Sequence, residues 1–151
     1  MGCQYDFPDE INENPNSGQA DFTKMISVGN SLTAGFMDGA LYDRGQENSF
    51  VVILAEQMKA AGGGEFNSPT INSENGYFSE GPGDSILGRL VLTIDPNTGD
   101  IAPAPIGSGD LPAPYSGEKS TLNNFGVPNV TLGTALIPDT GDPNSPLVNP
   151  L

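Results

Sequence analysis

The chain has 151 residues, with 20 Gly, 14 Pro, no Trp and 36% hydrophobic residues; one domain fits this length, with much of it spent on loops and turns. Five Lys and Arg against 19 Asp and Glu leave a net charge of −14, and the five cations (Lys24, Arg44, Lys59, Arg89, Lys119) are scattered. No phosphate-tracking stripe forms from them, which excludes a nucleic-acid partner.

At the start, Met1-Gly2-Cys3-Gln4 places a small residue before the single cysteine, as at the mature end of a bacterial lipoprotein. Read so, Cys3 is a lipid attachment site and the one link to a membrane, since no apolar run is long enough to span one. The competing reading is a chance cysteine. Residues 1–21 are rich in Asp, Glu, Asn, Pro and Gly and read as a flexible acidic leader or tether. The expected location is the bacterial cell envelope, as an outer-membrane lipoprotein, surface-exposed or periplasmic.

Residues 22–151 read as one unit. A short apolar run ending in glycine predicts a buried strand over 24–29. From Ser31 to Asp43 the pattern allows a helical turn or two through Leu32, Phe36, Ala40 and Leu41. The clearest helix is 50–61, with Asn48 or Ser49 as its cap and Gly62 at C′. Its apolar face is Phe50, Ile53, Leu54, Met58 and Ala61, set against a sheet, with Glu56, Gln57 and Lys59 toward solvent.

Residues 62–123 form a long Gly/Pro/Ser/Asn-rich insertion, of the kind that serves as a lid or shapes a substrate site. Within it, 89–94 and 101–106 flank Asp95-Pro96-Asn97-Thr98-Gly99-Asp100 and predict a β-hairpin. Pro103 and Pro105 mark its second arm as an edge or poorly paired strand. Phe125-Gly126-Val127-Pro128-Asn129-Val130-Thr131 suggests a second core strand leading into a turn. The stretch 138–151 returns to Pro, Gly and Asn.

The chemistry concentrates on Val28-Gly29-Asn30-Ser31-Leu32-Thr33-Ala34-Gly35-Phe36. A buried strand that breaks at glycine into a serine turn and resumes as a helix displays a hydroxyl at the mouth of a sheet; an ordinary helix-cap serine has the same letters. The chain has no histidine, so the usual base for such a serine is missing. Gly83-Asp84-Ser85-Ile86 is a decoy, a similar tetrapeptide with no strand before it. The 95–100 segment lacks the calcium-loop pattern, and no Cys/His cluster offers a zinc site. Gly62-Gly63-Gly64 lacks the lysine of a phosphate loop. Asn129-Val130-Thr131 matches a glycosylation sequon. No metal or cofactor is expected.

Gly29-Asn30-Ser31-Leu32 resembles the first signature block of the SGNH/GDSL serine esterases, with Asn30 where Asp is commoner. The run from Asp21 to Lys24 and on through Met37-Asp38-Gly39-Ala40-Leu41-Tyr42 is similar to secreted lipoprotein members from the Bacteroidetes lineage. Asn123-Asn124-Phe125-Gly126-Val127-Pro128 resembles the second block. The resemblance implies a three-layer α/β fold of flavodoxin-like type with a parallel sheet, incomplete here, and the insertion carrying its hairpin. It implies acyl-ester hydrolysis with Ser31 as nucleophile and its own N–H as one oxyanion donor. The glycine whose N–H is the second donor falls on Asn129, a departure from the family pattern that keeps the N–H but not glycine's conformational freedom. The third-block Asn and the late Asp/His pair are not recognisable, and the catalytic His and Asp are not present in this chain.

Two readings follow. In the first, the chain is the amino-terminal part of a serine esterase acting on a small-molecule, lipid or glycan ester, nearly inert alone, its base supplied from beyond residue 151. In the second, it is a non-catalytic surface lipoprotein that binds glycan or protein through the insertion.

Overall fold

The computed structural model describes residues 15–77, 85–111 and 115–137. Cys3, most of the acidic leader, Gly83 and Asp84 of the decoy tetrapeptide and the 138–151 stretch lie outside the described residues. The architecture is mixed α/β: a two-stranded parallel sheet, a separate two-stranded antiparallel sheet and a few short helices.

The first strand, β1, is Ser27–Gly29, shorter than the 24–29 expected and not the buried strand expected: only Ser27 is buried, and Val28 faces outward because nothing among the described residues covers that face of the sheet. It leads through Asn30 into α1, Ser31–Ala34. That helix ends on Gly35 at φ 81°, with the Gly35 and Phe36 N–H groups closing back on Leu32 and Ser31. A second helix not anticipated from the sequence, α2 (Asp43–Glu47), follows a tight turn at Asp38 and Gly39. Its five residues contain an internal glycine and hold too little apolar pattern to be read as a helix alone.

The main helix, α3, spans Phe50–Ala60. It stops where glycines 62 and 63 take over: Gly62, at φ 88°, donates to the Lys59 carbonyl and Gly63 to that of Met58. Those two bonds make a Schellman motif. Two expectations need correction. Val51 and Ala55 are the buried residues, while Phe50, Ile53 and Leu54 are exposed by 55%, 48% and 37%. Among the described residues there is no broad sheet for α3 to lie on, and the residues of its other flank face the core. Ser49 is the N-cap, but its Oγ makes no capping bond; it is buried and without a hydrogen-bond partner.

The predicted hairpin is present as β2 (Leu90–Ile94) and β3 (Ile101–Pro105), in antiparallel register from Leu90↔Pro105 to Ile94↔Ile101. Of the two expectations for β3, an edge strand or a poorly paired one, the first holds: it is an edge strand and fully paired, and the reason is geometric. Ile106 donates to the Arg89 carbonyl and Asp95 to that of Asp100. Hydrogen-bonded pairs therefore fall on Val91/Ala104 and Thr93/Ala102, and Pro103 and Pro105 sit at the alternate positions, where an N–H would face away from β2. The base of the ribbon is fastened by the Leu90 N–H to the Asp38 carbonyl and the Arg89 N–H to that of Asn75. The Arg89 guanidinium lies 5.3 Å from the Tyr42 ring centroid. The Tyr42 hydroxyl donates to Asp38; burial first, then this carboxylate, pushes its pKa up.

The second core strand, β4, is Asn124–Gly126 and pairs in parallel with β1, Ser27 opposite Asn124 and Gly29 opposite Gly126. A short helix, α4 (Leu132–Ala135), follows behind a Thr131 capping box. The two faces of the β1–β4 pair differ. On one, Gly126 lies so close to the α1 backbone at Thr33 and Ala34 that a β-carbon has no room. On the other, Val28 is 80% and Phe125 46% exposed. Parallel strands are normally covered on both faces; here the described residues cover one. The core is accordingly small, built from Ala34, Ala40, Leu41, Tyr42, Val51, Ala55 and Tyr77.

Candidate active site

Parallel pairing sends the carboxyl ends of β1 and β4 to the same side of the sheet. Ser31 follows the first and the turn 127–130 follows the second. The ladder runs on past the strands, the Ser27 N–H bonding the Asn123 carbonyl and the Val127 N–H that of Gly29. The turn is thereby held over the start of α1. Val130 donates to the Val127 carbonyl, Pro128 stands at the second position and Asn129 at the third, with φ 60°. Proline followed by a left-handed Asn is the pattern of a type II turn.

In such a turn the N–H of the third residue is left out of the closing bond, free to point elsewhere. Here it donates to the Ser31 Oγ at 3.0 Å, across 98 residues of sequence. The left-handed conformation that glycine adopts without cost is thus taken by Asn129, among the residue types that tolerate it best. Ser31 is half-buried and Asn129 exposed. Among the described residues, the bond from Asn129 is the one hydrogen bond Ser31 Oγ makes, and its own proton meets no acceptor.

Chemically, the pair offers a hydroxyl with a backbone donor beside it. A carbonyl carbon bonded to Ser31 Oγ would carry its oxygen within reach of the Asn129 N–H, the geometry of an oxyanion donor. The usual proton acceptor for such a hydroxyl is absent, since the chain has no histidine.

Behind the sheet, on the α1 side, lies a cavity of about 80 Å³ bordered by Ala34, Leu41, Gln46, Ile71, Tyr115 and Asn124. Ligand pockets begin at roughly 300 Å³, so this space holds a few waters rather than an acyl chain. Ser85 is exposed and outside any strand or helix. The 95–100 segment forms the hairpin turn, and no cluster of three or more metal-ligating side chains exists among the described residues. No helix of the described residues is long and apolar enough to cross a membrane.

No known protein family, curated protein or solved structure matches this chain. The site therefore stands on its geometry.

One residue of this region escaped the sequence reading. Asn124 is 4% exposed and holds four hydrogen bonds, to Ser27, Thr33, Ser68 and Gly126. The available signal was an Asn at the head of an apolar run, in a strand, where Asn is depleted.

Proposed function

We propose that this chain carries the nucleophile half of a serine hydrolase site of the SGNH/GDSL type, acting on carboxylic esters. The observation that supports the reading best is the 3.0 Å contact from the Asn129 N–H to Ser31 Oγ. It unites the two segments that resemble the family's first and second blocks. In this reading Ser31 Oγ bonds to the ester carbonyl carbon and its proton passes to a base that is not a histidine of this chain. The carbonyl oxygen, now anionic, is held by the N–H groups of Ser31 and Asn129. The carbon–oxygen bond of the leaving alcohol then breaks, the alcohol departs with a proton, and water releases the acid from Ser31.

A missing base can be supplied from solution. The test is labelling by a fluorophosphonate in the presence of imidazole: Oγ–P forms, P–F breaks, fluoride leaves and imidazole takes the proton. Imidazole-dependent labelling at Ser31, lost in Ser31→Ala, is the expected result. Folded protein that stays unlabelled across the imidazole range overturns the reading.

A second reading, a lipoprotein tethered through Cys3 that binds glycan or protein through its insertion, is favoured by one observation. The ribbon presents Leu92, Ile94 and Ile101 at 75%, 68% and 71% exposure. It predicts no imidazole-dependent labelling.

A further inference from the structure

The Ser31–Asn129 contact joins two segments that no covalent constraint aligns, and the 3.0 Å distance must come from somewhere. Neither end is anchored by bulk. Ser31 opens a helix of four residues and Asn129 lies on an exposed turn. Nor do the strands supply much rigidity, at three residues each.

We propose that the buried amide of Asn124 is the positioning residue that sets this contact, through hydrogen bonds that tie β1, α1 and β4 to a single side chain. The importance of that role for catalysis rests on the reading of Ser31 as nucleophile; the geometric claim does not.

An Asn side chain has two acceptor sites and two donor hydrogens. All four are used. Asn124 Oδ1 accepts from Ser27 Oγ and from the Gly126 N–H, both at 3.0 Å, and Nδ2 donates to the Thr33 carbonyl at 2.9 Å and to Ser68 Oγ at 3.0 Å. Three of these partners sit close in sequence to the site: Ser27 before Ser31 on β1, Thr33 after it in α1, and Gly126 before Asn129.

The Thr33 bond matters most. A helix of four residues leaves its last carbonyls without intrahelical donors, and the amide of Asn124 takes one of them, fixing how α1 sits on the sheet. Ser31, two residues earlier in the same turn, moves with it. The Gly126 bond does the equivalent for β4 and the turn it feeds. A buried polar side chain is costly to leave unpaired, so the four bonds form together, and no other amide orientation satisfies them. A misplacement of about 1 Å at reacting atoms costs on the order of 10²-fold in rate.

The test uses the full chain labelled with ¹⁵N. Ser31→Ala removes the acceptor for the Asn129 N–H, so the resulting shift of the Asn129 amide resonance reports the contact. Asn124→Asp keeps the side-chain shape and Oδ1 but loses both donors. The expected result is that in Asn124→Asp the Asn129 response to Ser31→Ala falls by more than half, while the Val91 and Ala104 amides of the ribbon stay put. An undiminished Asn129 response overturns the proposal.

If Asn124→Asp unfolds the chain, the milder pair decides. Ser27→Ala, which removes one bond toward the site, is expected to weaken the response in part. Ser68→Ala, which removes the bond leading away from it, is expected to leave the response intact. Equal effects of the two overturn the proposal. Fluorophosphonate labelling with imidazole runs alongside, with a loss on the order of 10²-fold expected in Asn124→Asp. Absent labelling of the parent chain with the amide response intact rejects the nucleophile reading and leaves the positioning role standing.

Discussion

The two sheets of this protein are held in opposite ways. The ribbon β2–β3 is local: its strands are joined by a short turn, five residue pairs stand in register and the backbone ladder carries it. The pair β1–β4 joins segments about a hundred residues apart with only three residue pairs, and its alignment depends on side chains, Ser27 to Asn124 and Asn124 to Thr33. Loop closure over such a separation must be offset before the contacts form. The lesson is that the chemically interesting contact lies on the less self-sufficient sheet, and substitutions of similar size will have unequal reach in the two.

The sharpest way to break this contrast is Gly126→Ala. Its new β-carbon meets the α1 backbone at Thr33 and Ala34, which cannot step aside as a side chain would. A loss of about 3 kcal/mol, the upper part of the overpacking range, is expected. Chemical denaturation measures it, and the Asn129 amide response to Ser31→Ala should vanish while the ribbon resonances persist.

Gly99→Ala is the converse. Gly99 sits at φ 78° with open space around its Cα, so only backbone strain opposes the change, about 1–2 kcal/mol. Exchange protection of the Thr93 and Ala102 amides should fall, with the Ser31–Asn129 signature unchanged. Loss of both signatures would merge the two sheets into one cooperative unit and end the comparison.

Acid gives the smallest effect, again on the ribbon side. The Asn97 N–H bonded to Asp95 Oδ1 holds that carboxyl below its ordinary 3.8. A lowered folded pKa stabilises fully above the unfolded value and is lost as pH falls through the folded one. The Asn97 amide should therefore titrate with a midpoint below 3.8, and the turn should loosen only under that pH. A midpoint at or above it would mean that the Asp95 bond does not set the turn.

Much of this was legible in the residues. Asp95-Pro96-Asn97-Thr98-Gly99-Asp100 names its own turn, and Gly62 marks the end of α3, because both are local conformational demands. The strand before Ser31 and the strand beginning at Asn124 were also readable. Which face of α3 is buried was not, since that depends on what lies opposite: Val51 and Ala55 are inside because the neighbour is a small core rather than a broad sheet. The part played by Asn124 was hidden for the same reason. An amide's role is set by its partners, and three of its four are more than 50 residues away. The site was legible as two candidate residues, Ser31 and Asn129, but the turn that aims one at the other follows from φ at Asn129 and from the ladder that carries it there.

The prolines of β3 have a consequence beyond the ribbon's own pairing. Because Pro103 and Pro105 face outward, that edge offers no donors to a newcomer at those positions, whereas the β2 edge presents the N–H groups of Leu92 and Ile94; the N–H of Leu90 is already taken by Asp38. Edge strands are where chains join side by side into aggregates. On the β3 edge, of the outward positions 101, 103 and 105 only Ile101 keeps a donor, so a chain that joins at β2 leaves a far edge with one N–H to offer, and growth past a pair is expected to be disfavoured.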